Sequence, residues 1–487
     1  MAERRRANDV SIRRYLALGG LLLELVVCPT LPGQATKSPS AISVPSEVTS
    51  WFKSAAIPLD STSPESGLGD LRRMESTIGD ARIVAMGEET HGTREFFQLK
   101  HRMLEFLVEK KGFTVFGIEA NWPESLAIND YVLNGTGDAA EALDSLYFWT
   151  WNTDEVLDMI RWMRKYNQDP KHTNKVKFLG FDMQVAYVAV RNAERYLEKV
   201  DPGEAKVAST VLAPLSDADR ERESASKSRY FWQKTGEMIE SLLERLELRK
   251  KAYVEASSLK EWTLARHNLE IVRQAVEMHS VDRSGNFSPR DQAMAANVKW
   301  ILEQEGPESK IMLWAHNGHV STAPLGDGES MGTVLRKTYG EKMVVCGFSF
   351  DQGSFQALQR GKGLRQFTVG PAIPGSLDAA LAAAGIPLFA VDLRVAPSSG
   401  AVAEWLNTPQ PMRSIGAIYS DSAPEAYFGL VSPHSFDVIL FVKYTTAAHK
   451  NPKYSEIELR RGPLWGNGAR AHGGRQEGDE RSDAPMR

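Results

Sequence analysis

Ile83-Val84-Ala85-Met86-Gly87-Glu88-Glu89-Thr90-His91-Gly92 is four apolar residues, a glycine, and then a burst of ionisable side chains. A short apolar run closed by glycine reads as a fully buried strand. The stretch after it changes period. Phe96, Phe97, Lys100, Met103, Leu104, Leu107 and Val108 recur at helical spacing, as one face of a helix lying on a core requires. Strand, polar turn and amphipathic helix form the first half of a βα unit.

The same unit repeats outward along the chain. Apolar runs at 83–86, 114–118, 176–179, 311–314, 343–346, 388–391 and 438–441 predict further buried strands, with amphipathic stretches between the early ones. The expected fold is therefore α/β: a mostly parallel sheet flanked by helices. Residues from about 190 to 285 break the alternation. They hold no clear strand, and 234–251 and 258–278 have helical spacing with dense charge. This segment reads as a helical insertion that packs on the sheet domain and covers part of the active-site cleft. Its aromatics Tyr230, Phe231, Trp232, Tyr253 and Trp262 suit either packing between helices or the wall of that cleft.

In open parallel sheets ligands bind beyond the carboxyl ends of the strands. Polar residues stand directly after five of these runs: Glu88 and His91; Glu119; Asp182; His316-Asn317-Gly318-His319; Asp392. If the strands run parallel, these residues converge on one edge, and a purely structural protein has no need of that. Each also has a plainer reading, since Asp caps helices and closes turns; for Asp182 and Asp392 that reading is at least as strong. Lys100 lies on the apolar stripe of its helix, where a lysine needs an anionic partner or a task, unless it snorkels to the surface. Arg290, just after Pro289, is either a surface residue or a cation of the site.

The ends of the chain read differently. Arg4-Arg5-Arg6 and Arg13-Arg14, an apolar run over 15–28 and small residues up to Ala35 follow the order of a secretory signal peptide. The expectation is a signal over 1–35, an exported protein in the periplasm or outside the cell, and no stable membrane anchor. The catalytic domain then spans 44–450. Residues 460–487 are rich in Gly, Arg, Asp and Glu and predict a disordered tail. Of two cysteines, Cys28 and Cys346, only the second survives cleavage, so no intramolecular disulfide is expected. Cys346 lies in an apolar run and reads as an inert core thiol. A net charge of −4 over 487 residues gives no reason to expect nucleic acid as partner.

Several chemistries lack their motif. There is no Gly-x-Ser-x-Gly elbow, no phosphate-binding Gly-rich loop, no dinucleotide fingerprint and no His-Glu-x-x-His. Carboxylates and histidines remain, without an obvious nucleophile. Such a set supports water activated by histidine or water activated by a bound metal.

Gly87-Glu88-Glu89-Thr90-His91-Gly92-Thr93-Arg94-Glu95-Phe96, Gly117-Ile118-Glu119-Ala120, Pro289-Arg290-Asp291-Gln292-Ala293-Met294, Trp314-Ala315-His316-Asn317-Gly318-His319 and Phe436-Asp437-Val438 together resemble the erythromycin esterase family. The resemblance runs in order from about residue 44 to 446. It implies hydrolysis of the ester that closes a macrolide lactone, a form of antibiotic resistance, with His91 as general base. It also implies that Glu88, Glu119, His316 and His319 line the same site. The best-known members of that family carry arginine where Lys100 stands, and lysine lacks arginine's planar fork. The expected reaction is attack of water on a carboxylic ester. Glu88 or Glu119 orients His91, and His316 or His319 with Lys100 or Arg290 stabilises the oxyanion. Lys100, Arg290 and Asp182 are expected to bind substrate, and no cofactor is expected. Two alternatives stand beside this reading: a divalent metal on the His316/His319 pair and strand-end carboxylates, hydrolysing another ester or an amide, or a small-molecule binding protein without turnover.

Overall fold

The computed structural model describes residues 44–280, 288–325 and 328–451. The expected signal segment over 1–35 and the tail over 460–487 lie outside the described residues. The principal sheet has nine strands: β1 (Ala56–Pro58), β2 (Ile83–Met86), β3 (Val115–Asn121), β4 (Lys177–Asp182), β5 (Ile311–Trp314), β6 (Met343–Gln359), β7 (Gly363–Val369), β8 (Leu388–Asp392) and β9 (Val438–Thr445). Their order is β1-β8-β9-β6-β2-β5-β3-β4, with β7 paired to β6. From β9 across to β4 every pairing is parallel, so β2 lies inside a parallel sheet with β6 and β5 as neighbours.

Strand alternation explains why these runs are apolar throughout. Ile83 and Ala85 of β2, with Ile311 and Leu313 of β5, enter one core layer. Val84, Met86, Met312 and Trp314 enter the other. Both faces are covered, so a buried parallel strand has no solvent side to mark with polar residues. On the second layer lies α1 (Arg94–Lys111). Its predicted stripe is buried, Lys100 included. The helix ends at Gly112, whose φ of 72° and ψ of 30° form a left-handed C-cap that glycine adopts without strain.

The insertion is helical, as its spacing predicts: α2 (Tyr187–Val200), α3 (Pro202–Leu212), α4 (Arg229–Leu248) and α5 (Leu259–Ser280) lead to α6 (Ser288–Glu305). It joins the first core layer. The side-chain amides of Gln274 on α5 and Asn297 on α6 exchange two hydrogen bonds, 3.0 and 2.9 Å, and Asn297 also donates to the Phe181 carbonyl of β4 at 3.0 Å. Trp232, Tyr253 and Trp262 are buried in that layer, whereas Tyr230 is 67% exposed; the aromatics pack helices together.

Two strands depart from the sequence expectation. β8 pairs antiparallel with both β1 and β9, so its carboxyl end lies at the opposite edge. Asp392 there accepts from its near neighbour Arg394 through the backbone amide and the guanidinium and is no part of the strand-end constellation. β6 continues well beyond its predicted apolar start. Its second half leaves the sheet centre as a hairpin with β7.

Candidate active site

The segment 87–93 turns from β2 into α1 at the carboxyl edge. Its two glycines are forced by close approach. A Cβ on Gly87 would strike the Asn317 amide, and one on Gly92 would strike the backbone of Gln356 on β6. Asn317 in turn bridges to β6 by exchanging bonds with Phe348, 2.8 and 3.0 Å, and its own amide donates to the Glu88 carbonyl at 2.8 Å. The asparagine of His316-Asn317-Gly318-His319 thus ties the two polar turns together.

Glu88 is fully buried and all its contacts are charge-assisted or polar. His91 Nδ1 lies 2.7 Å from Oε1. Oε2 accepts from Lys100 Nζ at 2.6 Å and from Trp314 Nε1 at 2.8 Å. With Nδ1–H directed at a carboxylate, the neutral His91 ring presents the lone pair of Nε2. Trp151 packs edge-on against this imidazole, ring centres 5.6 Å apart, and His316 lies 5.2 Å away on another side.

Glu119, at the end of β3, holds the second half of the site. Its Oε2 accepts from the His316 backbone amide at 2.9 Å, and Oε1 accepts from Arg290 Nη2 at 2.7 Å. Burial works to weaken it as an acid, but the His319 imidazole, the Arg290 guanidinium, the His91 imidazole and the His316 amide together outweigh burial and hold the carboxyl well below the usual carboxylate range. Arg290, on the first turn of α6, also grips Asp182 through Nε at 3.2 Å and Nη2 at 2.6 Å. Asp182 is fully buried beneath that guanidinium.

The two late histidines differ in state. His316 Nδ1 accepts from the Gly318 amide at 3.2 Å, so the proton resides on Nε2. That buried N–H has no hydrogen-bond partner among the described residues. Burial, with His91 and His319 nearby, lowers this imidazole to about 3, so it stays neutral at physiological pH. His319 Nδ1 lies 2.9 Å from Asp291 Oδ1, and Arg290 Nη1 lies 3.0 Å from its Nε2. Burial opposes a charge on His319, but the Asp291 and Glu119 carboxylates outweigh it and raise its basicity. The hydrogen bonds fit the neutral ring, Nδ1–H donating to Asp291 and Nε2 accepting from Arg290. Glu119 Oε1 lies 3.4 Å from the same Nε2.

The structure therefore brings together Glu88, His91, Glu119, His316, His319, Arg290 and Asp182. Lys100 lies behind them. It is fully buried with its ammonium on Glu88 and 4.3 Å from the centre of the Trp314 ring, so it meets its anionic partner inside the protein rather than facing a ligand. Asp182 likewise spends both oxygens on Arg290 and its own turn. Asp291 and Trp314 are the residues that sequence reasoning passed over. Both lie in stretches that carry the family resemblance, but that reasoning assigned Asp291 no role and placed Trp314 only in an apolar strand run. Among the described residues, no group of three or more His, Cys, Asp or Glu side chains is arranged to hold a metal ion.

The erythromycin esterase family model matches residues 108–445. The chain belongs to the erythromycin esterase family. This membership carries hydrolase chemistry on a small-molecule substrate at the level of the family. Glu119, Asp182, Arg290, Asp291, Trp314, His316 and His319 lie within the matched span; Glu88, His91 and Lys100 precede it. Erythromycin esterase type II of Escherichia coli is 26% identical over 379 residues, covering 69% of this chain and 86% of that one. A Bacillus cereus protein of known crystal structure is 27% identical with a TM-score of 0.73, covering 83% of this chain and 98% of its own. The crystal structure of an erythromycin esterase EreC mutant in its open conformation aligns with a TM-score of 0.62 at 17% identity, over 81% and 98% of the two chains, and so shares the α/β fold.

Proposed function

We propose that this esterase-family protein hydrolyses a carboxylic ester, with a lactone as the favoured class and a macrolide as the specific candidate, by direct attack of water. The observation that carries this reading is the polarity of His91: Nδ1 is committed to Glu88, which leaves Nε2 as the proton acceptor of the site. His91 Nε2 removes a proton from water as the oxygen adds to the acyl carbon. Glu88, charged and held by Lys100 and Trp314, stabilises the imidazolium that forms. The buried His316 Nε2–H, without a partner among the described residues, is the donor this reading assigns to the oxyanion. When the intermediate collapses, the C–O bond breaks and the imidazolium returns its proton to the leaving oxygen. The products are a carboxylic acid, which ionises by releasing its proton to solvent, and an alcohol, in one molecule when the substrate is a ring. No covalent enzyme intermediate and no cofactor is needed. On this reading the segment over 1–35 directs export, and the substrate is met outside the cytoplasm.

Mass spectrometry of a macrolide and simple-ester panel tests it, using the purified protein and His91→Ala, each with and without chelator. A gain of one water that requires His91 and ignores chelator supports the reading. A gain abolished by chelator transfers water activation to a metal, and no product on any ester defeats the hydrolase reading.

A further inference from the structure

We infer that Trp314 is a positioning residue of this site, holding the Glu88 carboxylate in the orientation that serves His91. The inference rests on the reading of His91 as the base. Trp314 closes β5 and is 1% exposed, so its first appearance is that of a core side chain. Its edge and its face are both engaged with charge, however. The indole Nε1–H donates to Glu88 Oε2 at 2.8 Å. The same oxygen receives Lys100 Nζ at 2.6 Å, and that ammonium lies 4.3 Å from the centre of the indole ring. One side chain thus fixes the carboxylate through a hydrogen bond and steadies its counter-ion through a cation–π contact.

The chemistry suits an indole in particular. Its N–H is a donor only and does not titrate, so it favours the charged carboxylate without exchanging a proton with it. With Oε2 held from two sides, Oε1 remains on His91 Nδ1, 2.7 Å away. The ring itself is wedged by Phe97, Phe116 and Trp151, centres 4.9, 6.1 and 5.6 Å away. Trp151 also packs edge-on against His91. The aromatic group therefore connects the back of the carboxylate to the flank of the imidazole. A phenylalanine keeps an aromatic face but loses both the donor and the pyrrole ring, whereas an indole-shaped ring without the N–H loses the donor alone. That difference separates positioning from packing.

The test compares wild type, W314F, and protein carrying at position 314 either benzothienylalanine, which has the indole shape without the N–H, or 5-fluorotryptophan, which keeps it. The first readout is the downfield proton resonance of the His91 Nδ1–H, assigned by its loss in H91A. The second is the split between kcat and KM on an ester that the protein turns over. Loss of a donor to a carboxylate is expected to lower kcat about tenfold with KM within about twofold. The resonance broadens or disappears in W314F and in the benzothienyl protein, and persists with 5-fluorotryptophan. Should W314F fail to fold, the two isosteres still decide. A resonance and a kcat unchanged without the N–H, with only Tm reduced, overturn the inference. If H91A retains turnover, the reading of His91 as the base fails while the resonance still decides whether Trp314 holds the Glu88–His91 pair.

Discussion

At the scale of single residues, the site is organised by which hydrogens are already committed. His91 has one nitrogen fixed by Glu88, and His316 has one fixed by a backbone amide. On the proposed reading each leaves the other nitrogen for a reactant, the first as acceptor and the second as donor. Replacing His316 by alanine is expected to lower kcat about 10²–10³-fold, the usual cost of one oxyanion donor, with a smaller change in KM; steady-state kinetics measures both. Lys100 supplies a second expectation. Burial draws its ammonium down to about 8 against the pull of Glu88 and Glu119. As pH rises through that value Glu88 loses its counter-ion, so the rate profile gains an alkaline limb near pH 8. Lys100→Arg keeps its charge over the whole range and moves that limb out of reach, provided the longer side chain is accommodated. A limb that stays in place in K100R assigns it to another group. Glu88, His91, Glu119, His316 and His319 were legible because they stand directly after apolar runs. Asp291 and Trp314 were not, because each is distinguished by a partner 28 or 226 residues away.

At the scale of elements, β2 leads into two consecutive glutamates with opposite duties. Glu88 faces the reactive imidazole, while Glu89 is turned into a second buried polar group. Its Oε2 accepts from the Phe350 amide of β6 at 3.1 Å. Asp378 nearby takes the Ser349 hydroxyl at 2.6 Å and the Arg413 amide at 2.9 Å. Burial, and then the Asp378 carboxyl, push Glu89 well above the usual range, and burial raises Asp378 as well. An acid whose folded value is raised keeps its proton after the unfolded chain has lost it, so stability declines as pH climbs past the ordinary carboxylate range, roughly 4. Glu89→Gln retains the acceptor for Phe350 and removes the titration. Its Tm is expected to fall less than that of wild type between pH 5 and pH 8 in thermal melts; an equal fall in both proteins refutes the assignment. The predicted strands at 83–86 and 311–314 match β2 and β5 residue for residue, because a strand covered on both faces is apolar from end to end. The direction of β8 carried no such signal. An apolar run of four is the same word read either way, and only pairing with its neighbours β1 and β9 sets its sense.

At the scale of the whole molecule, one polar contact that joins the insertion to the sheet is the Asn297 amide. Asn297 binds Gln274 of α5 and the Phe181 carbonyl next to Asp182. Asn297→Ala leaves a buried Gln274 amide and a strand carbonyl without partners, at a cost of about 1–3 kcal/mol. Denaturant titration is expected to show that loss, and the Asn297→Leu/Gln274→Leu double variant to recover part of it by removing the stranded group. The helical character of this region was legible from its spacing. Its place against α6 was not, since a neutral amide pair leaves no mark in hydropathy or charge.

The committed charges have one more consequence, for the end of the reaction. Glu88, Glu119, Asp182 and Asp291 are four carboxylates gathered at the site, the first paired with Lys100, the next two with Arg290 and the last with His319. On the proposed reading, opening an ester there adds a further anion beside these four carboxylates. The enzyme on this reading expels what it makes. Ring closure by the reverse path is disfavoured by repulsion as well as by mass action, and accumulated product is a poor inhibitor that becomes a better one as salt screens the field.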